Sequence, residues 1–346
     1  MQAELYSKEQ KIGGAYIPVT LGTHKYTFDV SDSLTEFNVC FDGCTVKEIK
    51  IYDNRSPIPA EISGNTASQL ASKMGKAWNL GNALDSTTDG VADETLWNNK
   101  FPVSKPMFDT VKASGFDTVR IPVSYMDKIG NEASGYKIEE AWLNRVQEVV
   151  DLAINAGLLV VIDIHHDGSD GVQGKWIDIS SDDFETVQTK FTAVWSQIAD
   201  KFSGYDQRLM FESMNEIKIS GQENATAEAY NKINALNQAF VTAVRNAGGK
   251  NTDRVLIIPG YNTDINATVN SNFVKPNDTT NNRLMLSVHY KETYLNALNR
   301  TAELYNIVTA YWDNGYDGPN GFALFDRTTN TQTEAGEALI TVILGQ

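Results

Sequence analysis

Seven short apolar runs recur along the chain from Thr66 onward: Ala77–Gly81, Thr118–Pro122, Leu158–His165, Leu209–Asn215, Val255–Gly260, Met285–Tyr290 and Ile307–Trp312. Each is too continuously apolar to have one face in water, which is the pattern of strands covered on both sides in a parallel sheet. Between the runs, apolar positions fall at helical spacing. Phe184, Val187, Phe191, Val194, Trp195, Ile198 and Phe202 follow Ser181-Asp182-Asp183, and Tyr230, Ile233, Leu236, Phe240 and Val244 precede Gly248-Gly249. Those flanks are the residue types that start and stop helices. Alternating strands and helices predict an α/β domain. No glycine-rich turn of dinucleotide spacing follows the first run, and polar residues close nearly every run, which favours a barrel over a doubly wound sheet.

Before Thr66 the period changes to two. Tyr26, Phe28 and Val30 alternate with Lys25, Thr27 and Asp29, and Phe37, Val39 and Phe41 alternate with Asn38 and Cys40 before Asp42-Gly43. This predicts two or three antiparallel strands. Residues 1–60 are expected to form a β-rich appendage and residues 61–346 the main barrel, with the boundary in Asn54-Arg55-Ser56-Pro57-Ile58-Pro59. Around Thr45–Tyr52 the appendage resembles the closing part of a carbohydrate-binding β-sandwich. A piece so small needs packing against something else to be stable, so a structural flap is the plainer expectation.

Composition narrows the partners. With 346 residues, 41% of them hydrophobic, the chain can bury one large core. A net charge of −15 opposes binding to nucleic acid or to an anionic membrane and suits a neutral or cationic substrate. No apolar run approaches the roughly 20 residues that span a bilayer. Met1-Gln2-Ala3-Glu4 does not open a signal peptide. Two cysteines, Cys40 and Cys44, allow at most one disulfide and no thiolate metal cage. A monomer without cofactor is expected.

The chemistry lies where the strands end. The first run closes on Asn79-Leu80-Gly81-Asn82, the second carries Arg120, the third ends in His165-His166, the fourth in Asn215-Glu216, the sixth in His289-Tyr290 and the last in Trp312-Asp313-Asn314-Gly315. Each has a bland reading taken alone: Glu216 as a surface acid, Arg120 as a buried ion pair, His165 as a satisfied core histidine, Trp312 as packing. In a barrel, however, these ends share one mouth. A carboxylic acid to protonate a leaving oxygen, polar donors for hydroxyls and an aromatic face for a pyranose ring are what cleaving a glycosidic bond needs.

Trp78-Asn79-Leu80-Gly81-Asn82, Val119-Arg120-Ile121-Pro122-Val123, Ile164-His165-His166, Met214-Asn215-Glu216, Val288-His289-Tyr290 and Tyr311-Trp312-Asp313-Asn314-Gly315, in that order, resemble glycoside hydrolase family five. The likeness spans roughly residues 66 to 340 and is nearest to the family's bacterial endo-β-1,4-glucanases. It implies an α/β fold, a (β/α)8 TIM barrel, and retaining hydrolysis of a β-1,4-glucan such as cellulose, mixed-linkage glucan, xyloglucan or glucomannan. It implies Glu216 as general acid/base, with Arg120, His165, Asn215 and His289 as its electrostatic and hydrogen-bonding neighbours. Trp312 would be a sugar platform, and Asn82, Trp97, His166 and Tyr290 further substrate contacts. A secreted or cell-surface bacterial location goes with that role.

The chain also departs from the family. A retaining mechanism needs a second carboxylate about 5–5.5 Å from the first; the family places it on the seventh strand, in a Gly-Glu-aromatic-Gly context that is absent here. Only about 16 residues separate Tyr290 from Ile307, room for one crossover helix but not for a helix, a strand and a second helix. One βα unit is therefore expected to be missing, leaving an open sheet and Arg120 as a buried charge without its anionic partner. Three explanations stand: an omission of that segment from the sequence, a deletion that leaves a noncatalytic β-glucan-binding barrel, and a substitute nucleophile, for which Glu292 is the nearest candidate. A metal-dependent hydrolase is a further idea, since Asp163 and His165 share one face of a strand. It lacks an evident third ligand.

Overall fold

The computed structural model describes residues 2–7, 10–16, 36–40, 61–97, 102–289, 307–318 and 321–344. The chain divides into two compact units, Met1–Asn54 and Arg55–Gln346.

In the first unit, β1 (Gln2–Ser7), β2 (Gln10–Tyr16) and β3 (Glu36–Cys40) form an antiparallel sheet of order β2-β1-β3. The expected strand at Phe37–Phe41 is β3, while the one at Tyr26–Val30 lies outside the described residues, as does Cys44. β1 and β2 had no counterpart in the reading of the sequence. Gly13-Gly14 inside β2 carries no side chains to show an alternation. The pairing also slips between Leu5 and Tyr6, a bulge that breaks the period of two.

The second unit is built on seven parallel strands: β4 (Ala77–Leu80), β5 (Thr118–Val123), β6 (Leu159–Ile164), β7 (Leu209–Glu212), β8 (Leu256–Asp264), β9 (Leu284–His289) and β10 (Ala310–Asp313). They stand in the order β9-β8-β7-β6-β5-β4-β10. All seven expected runs form strands, with ends moved by a few residues, and the arrangement is the curled sheet of a (β/α)8 barrel with one strand fewer. Among the described residues β9 and β10 are its two ends, and no eighth strand joins them. Burial differs along the sheet: β5 and β6 are buried at every position, whereas Leu286 in β9 is 57% exposed.

Period-two geometry explains why such apolar strands can carry polar chemistry. On β6, Val160, Ile162 and Ile164 face the main core, while Leu159 and Val161 join a second cluster with Met210 of β7, Val255 and Ile257. Helix α1 (Ala67–Met74), capped by Thr66 with Gln69 returning the bond, lays Leu70 and Met74 into that second cluster and closes one end of the barrel. Along the same inner face of β6 the next positions are Asp163 and His165. The floor is apolar and the mouth polar.

Four further helices cover the strands: α2 (Lys105–Ala113), α3 (Glu140–Asn155), α4 (Phe184–Lys201) and α5 (Ala227–Asn246). α4 starts where the sequence suggests, while the start of α5 had no signal in that reading. Asp183 caps α4 by accepting from the Thr186 amide, and Thr226 caps α5 by accepting from Ala229. The aromatic stripes expected to be core are core: Phe191, Trp195, Phe202 and Phe240 are fully buried.

Candidate active site

The strand registers set Asn79 opposite Arg120, Asp163 opposite Glu212, and Trp312 opposite Asn79. Arg120 gathers this layer. Its Nε donates to Glu212 Oε2 at 2.5 Å, its Nη2 to Asp163 Oδ2 at 2.6 Å and to Asn215 Oδ1 at 3.0 Å, and its Nη1 to Asn79 Oδ1 at 3.2 Å. Burial opposes the Arg120 charge, but Asp163 and Glu212 outweigh it and raise its pKa. The expectation of Arg120 as an unpaired buried cation is thus corrected: two carboxylates from β6 and β7 compensate it.

Asp163 serves two neighbours. Besides Arg120, its Oδ2 lies 2.8 Å from His165 Nδ1. The ion pair with Arg120 keeps Asp163 ionised even though burial raises its pKa. A carboxylate only accepts, so Nδ1 of His165 carries the proton and Nε2 keeps a lone pair. Burial, helped by the positive fields of His166 and Arg120, pulls the His165 pKa well below the usual imidazole value. His165 is therefore a neutral, oriented acceptor. Its ring stacks on the Trp312 indole at 5.5 Å with 7° between planes and meets His166 edge to face at 4.6 Å. Asp163 Oδ2 thus joins Arg120 to His165, and the two residues behind the idea of a metal site are hydrogen-bonded to each other.

His166 faces Asp85, whose Oδ2 is 3.5 Å from its Nε2. Burial opposes the charged ring, yet the hydrogen bond and charge of Asp85 prevail and raise the His166 pKa. Asp85, His165 and His166 each place one ligand-type atom within 4.8 Å of the others. Asp85 is already engaged, however, because it accepts the Asn82 and Ala83 amides and so shapes the turn after β4. That turn holds Asn82 in the left-handed region, from which its Nδ2 donates to Asn314 O at 3.0 Å.

Glu216 follows Asn215 at the end of β7 and also has left-handed backbone, φ +49°, an uncommon state for a residue with a side chain. Its amide donates to Thr263 Oγ1 at 3.0 Å. Its Oε1 lies 2.7 Å from His289 Nδ1. That hydrogen bond lowers the Glu216 pKa more than burial raises it, with the field of Arg120 adding to the lowering.

Of the residues expected in the site, Glu216, Arg120, His165, Asn215, His289, Asn82, His166 and Trp312 thus stand at one mouth. Trp97 is 61% exposed on the turn after the Thr87–Ala92 hairpin. Tyr290 and Glu292 lie outside the described residues. Reading the sequence missed Glu212 and Asp85, and took Asp163 for something else. An acid inside an otherwise apolar strand was the available clue for Glu212, because such a group is buried only with a partner. Trp312 yields a direct test of the site. Trp312→Ala is expected to weaken binding of a cellotetraose ligand by roughly 1–3 kcal/mol with unfolding unchanged, measured by calorimetric titration; unaltered affinity would return the indole to plain packing.

Residues 82–321 match the family Cellulase (glycosyl hydrolase family 5). The chain belongs to glycoside hydrolase family 5. It is 35% identical to Endoglucanase A of Paenibacillus barcinonensis, across 80% of this chain and 89% of that protein. It is 38% identical to a xyloglucan-specific endo-β-1,4-glucanase of Bacteroides ovatus, across 66% of this chain but only 45% of that protein's length. Among solved structures, a family 5 xyloglucanase from Paenibacillus pabuli superposes with a TM-score of 0.77 at 34% identity, over 80% of this chain and 99% of that one. A broad-specificity endoglucanase from Ruminococcus champanellensis, with bound cellotriose, gives 0.73 at 32%, over 81% and 98%. The chain is a family 5 glycoside hydrolase with the fold of endo-β-glucanases. The match to the Paenibacillus barcinonensis enzyme runs over 358 positions although only 80% of this 346-residue chain takes part. The relative therefore carries tens of residues with no counterpart here, enough for a βα unit.

Proposed function

We propose that the protein cleaves internal β-1,4 linkages of a β-glucan outside the cell, with Glu216 as general acid/base and retention at the anomeric carbon. The observation that supports this most is the placing of Glu216, seated against His289 at the mouth of the strands beside the His165–Trp312 stack. On this reading a sugar ring resting on Trp312 brings its glycosidic oxygen to Glu216, and His165, Asn79 and Asn215 are the candidates to bond its hydroxyls. Neutral hydroxyls also fit a strongly acidic protein better than an anionic polymer would.

A second reading has its own support. Retention requires a carboxylate opposite Glu216, and among the described residues the side chain hydrogen-bonded to Glu216 is the basic His289. β9 and β10, which would flank the strand carrying that carboxylate, are the two ends of the sheet among the described residues. On this reading the protein binds β-glucan and scarcely cuts it.

Reducing-end release from carboxymethylcellulose and mixed-linkage glucan, followed by NMR of the first-formed anomer, separates the two. The preparation must have the intact mass of 38.2 kDa that these residues define. Release with the β-anomer appearing first supports the retaining hydrolase, and the α-anomer first would remove the retaining mechanism. Polymer retardation in affinity electrophoresis without release would establish the binding reading.

A further inference from the structure

We infer that Tyr316 and Phe322 form an outer sugar platform that continues from Trp312 and takes pyranose rings of a β-glucan away from the scissile bond. The inference rests on the glucan-directed reading above and extends it to residues outside the motifs that led there. Tyr316 is 52% and Phe322 39% exposed, whereas Asp313, Ala323, Leu324 and Phe325 around them are buried. Exposed aromatic rings on a loosely held loop would mean little. The described residues on either side are tied down by hydrogen bonds. Asp313 Oδ2 accepts from Trp78 Nε1, Leu324 N and Phe325 N, and its Oδ1 from Gly315 N and Arg327 Nη2. One atom, Asn314 Oδ1, accepts the backbone amides of both Tyr316 and Phe322, at 3.2 and 2.9 Å, and Ala323 N donates to Tyr316 O at 3.1 Å. The two aromatic residues therefore spring from a common base.

The Tyr316 ring also has a prepared seat. A Cβ on Gly318 would come within 2.1 Å of the Tyr316 hydroxyl oxygen and 2.3 Å of the carbon bearing it. Gly318 has no left-handed backbone to explain it, so its missing side chain makes room for the phenol to lie on the main chain. Fixing a ring in place while leaving half of it in water costs entropy that no burial offsets, and a rigid open aromatic face is what a pyranose stacks on. The location agrees. Asn314 O is bonded by Asn82 Nδ2, and Asn314 is two residues beyond Trp312, whose indole stacks on His165. The loop thus stands at the same mouth, on the side of β4 and β10.

The test compares two β-1,4-gluco-oligosaccharides, cellotriose and cellohexaose, in calorimetric titrations of the full-length protein. The double variant Tyr316→Ala, Phe322→Ala should bind cellohexaose about tenfold more weakly, the scale of one or two lost stacking contacts, and cellotriose as before. Both residues are half-exposed, so thermal unfolding should be unchanged. Gly318→Ala keeps both rings but unseats Tyr316, and should reproduce part of the loss. Equal affinity of wild type and double variant for cellohexaose, or an equal loss for both ligands, would overturn the platform while leaving the glucanase reading intact. A wild-type protein that bound neither oligosaccharide would overturn both.

Discussion

Glu216→Gln is expected to reduce cleavage of unactivated β-glucan by about 10²–10⁴-fold, because the amide is nearly isosteric with the acid but cannot exchange a proton. The structure sharpens the expectation. With His289 Nδ1 at 2.7 Å lowering its pKa, Glu216 rests as a carboxylate near neutral pH, the form that serves as a base. To act as an acid it must first become protonated, and two influences push that way: burial under a bound sugar, and a nearby negative charge. A second carboxylate would thus serve both as nucleophile and as the group that raises the acid's pKa. If one is missing, Glu216→Gln should change little, because the resting rate is already near zero. The experiment is a progress curve on mixed-linkage glucan for both proteins, with binding measured separately. A hundredfold fall from a substantial wild-type rate confirms the role; a variant that keeps most of a substantial rate ends the assignment.

How much of this site could be seen in the sequence follows from strand geometry. Runs such as Leu158–His165 and Leu209–Asn215 announce buried strands because nearly every residue is apolar, and their polar ends announce a mouth. What such a run hides is which face each residue takes. Asp163 and Glu212 sit inside runs that are otherwise apolar, and only the register that sets them opposite each other, with Arg120 between them, turns two isolated acids into one ion-pair layer. Arg120 was recognisable as buried, but its anionic partner was sought on the family's seventh strand rather than on β6 beside it and β7 one strand further on. Asp85 was invisible for a different reason. It acts through backbone amides of its own turn, and turns carry no period. The loop of Tyr316 and Phe322 likewise depends on one asparagine oxygen reached by two amides six residues apart, a closure that no local pattern encodes.

The compensated layer around Arg120 makes the largest stability prediction. Arg120→Met should cost about 3–5 kcal/mol in urea unfolding, because it leaves the nearly fully buried carboxylates of Asp163 and Glu212 without their cation. Glu212 is hit harder. Each acid already has one oxygen without a hydrogen-bond partner among the described residues, Asp163 Oδ1 and Glu212 Oε1, but Asp163 Oδ2 still has His165 whereas Glu212 Oε2 would lose the partner it has. Adding Glu212→Gln to Arg120→Met removes the stranded charge and should recover stability, so the double variant is expected to be less damaged than the two single costs combined, with a coupling of 1 kcal/mol or more by order of magnitude. Strict additivity would show that the layer is held by its surroundings and not by the ion pairs. If Arg120→Met alone does not fold, the double variant carries the comparison, since a rescued fold can come only from relief of the unpaired acid. Substrate binding gives an independent reading. Loss of Arg120 also removes a hydrogen bond from Asn79, from Asn215 and from Asp163, the partner of His165, so a folded double variant should still bind oligosaccharide less tightly than the wild type, and undiminished affinity would show that Arg120 does not orient those groups.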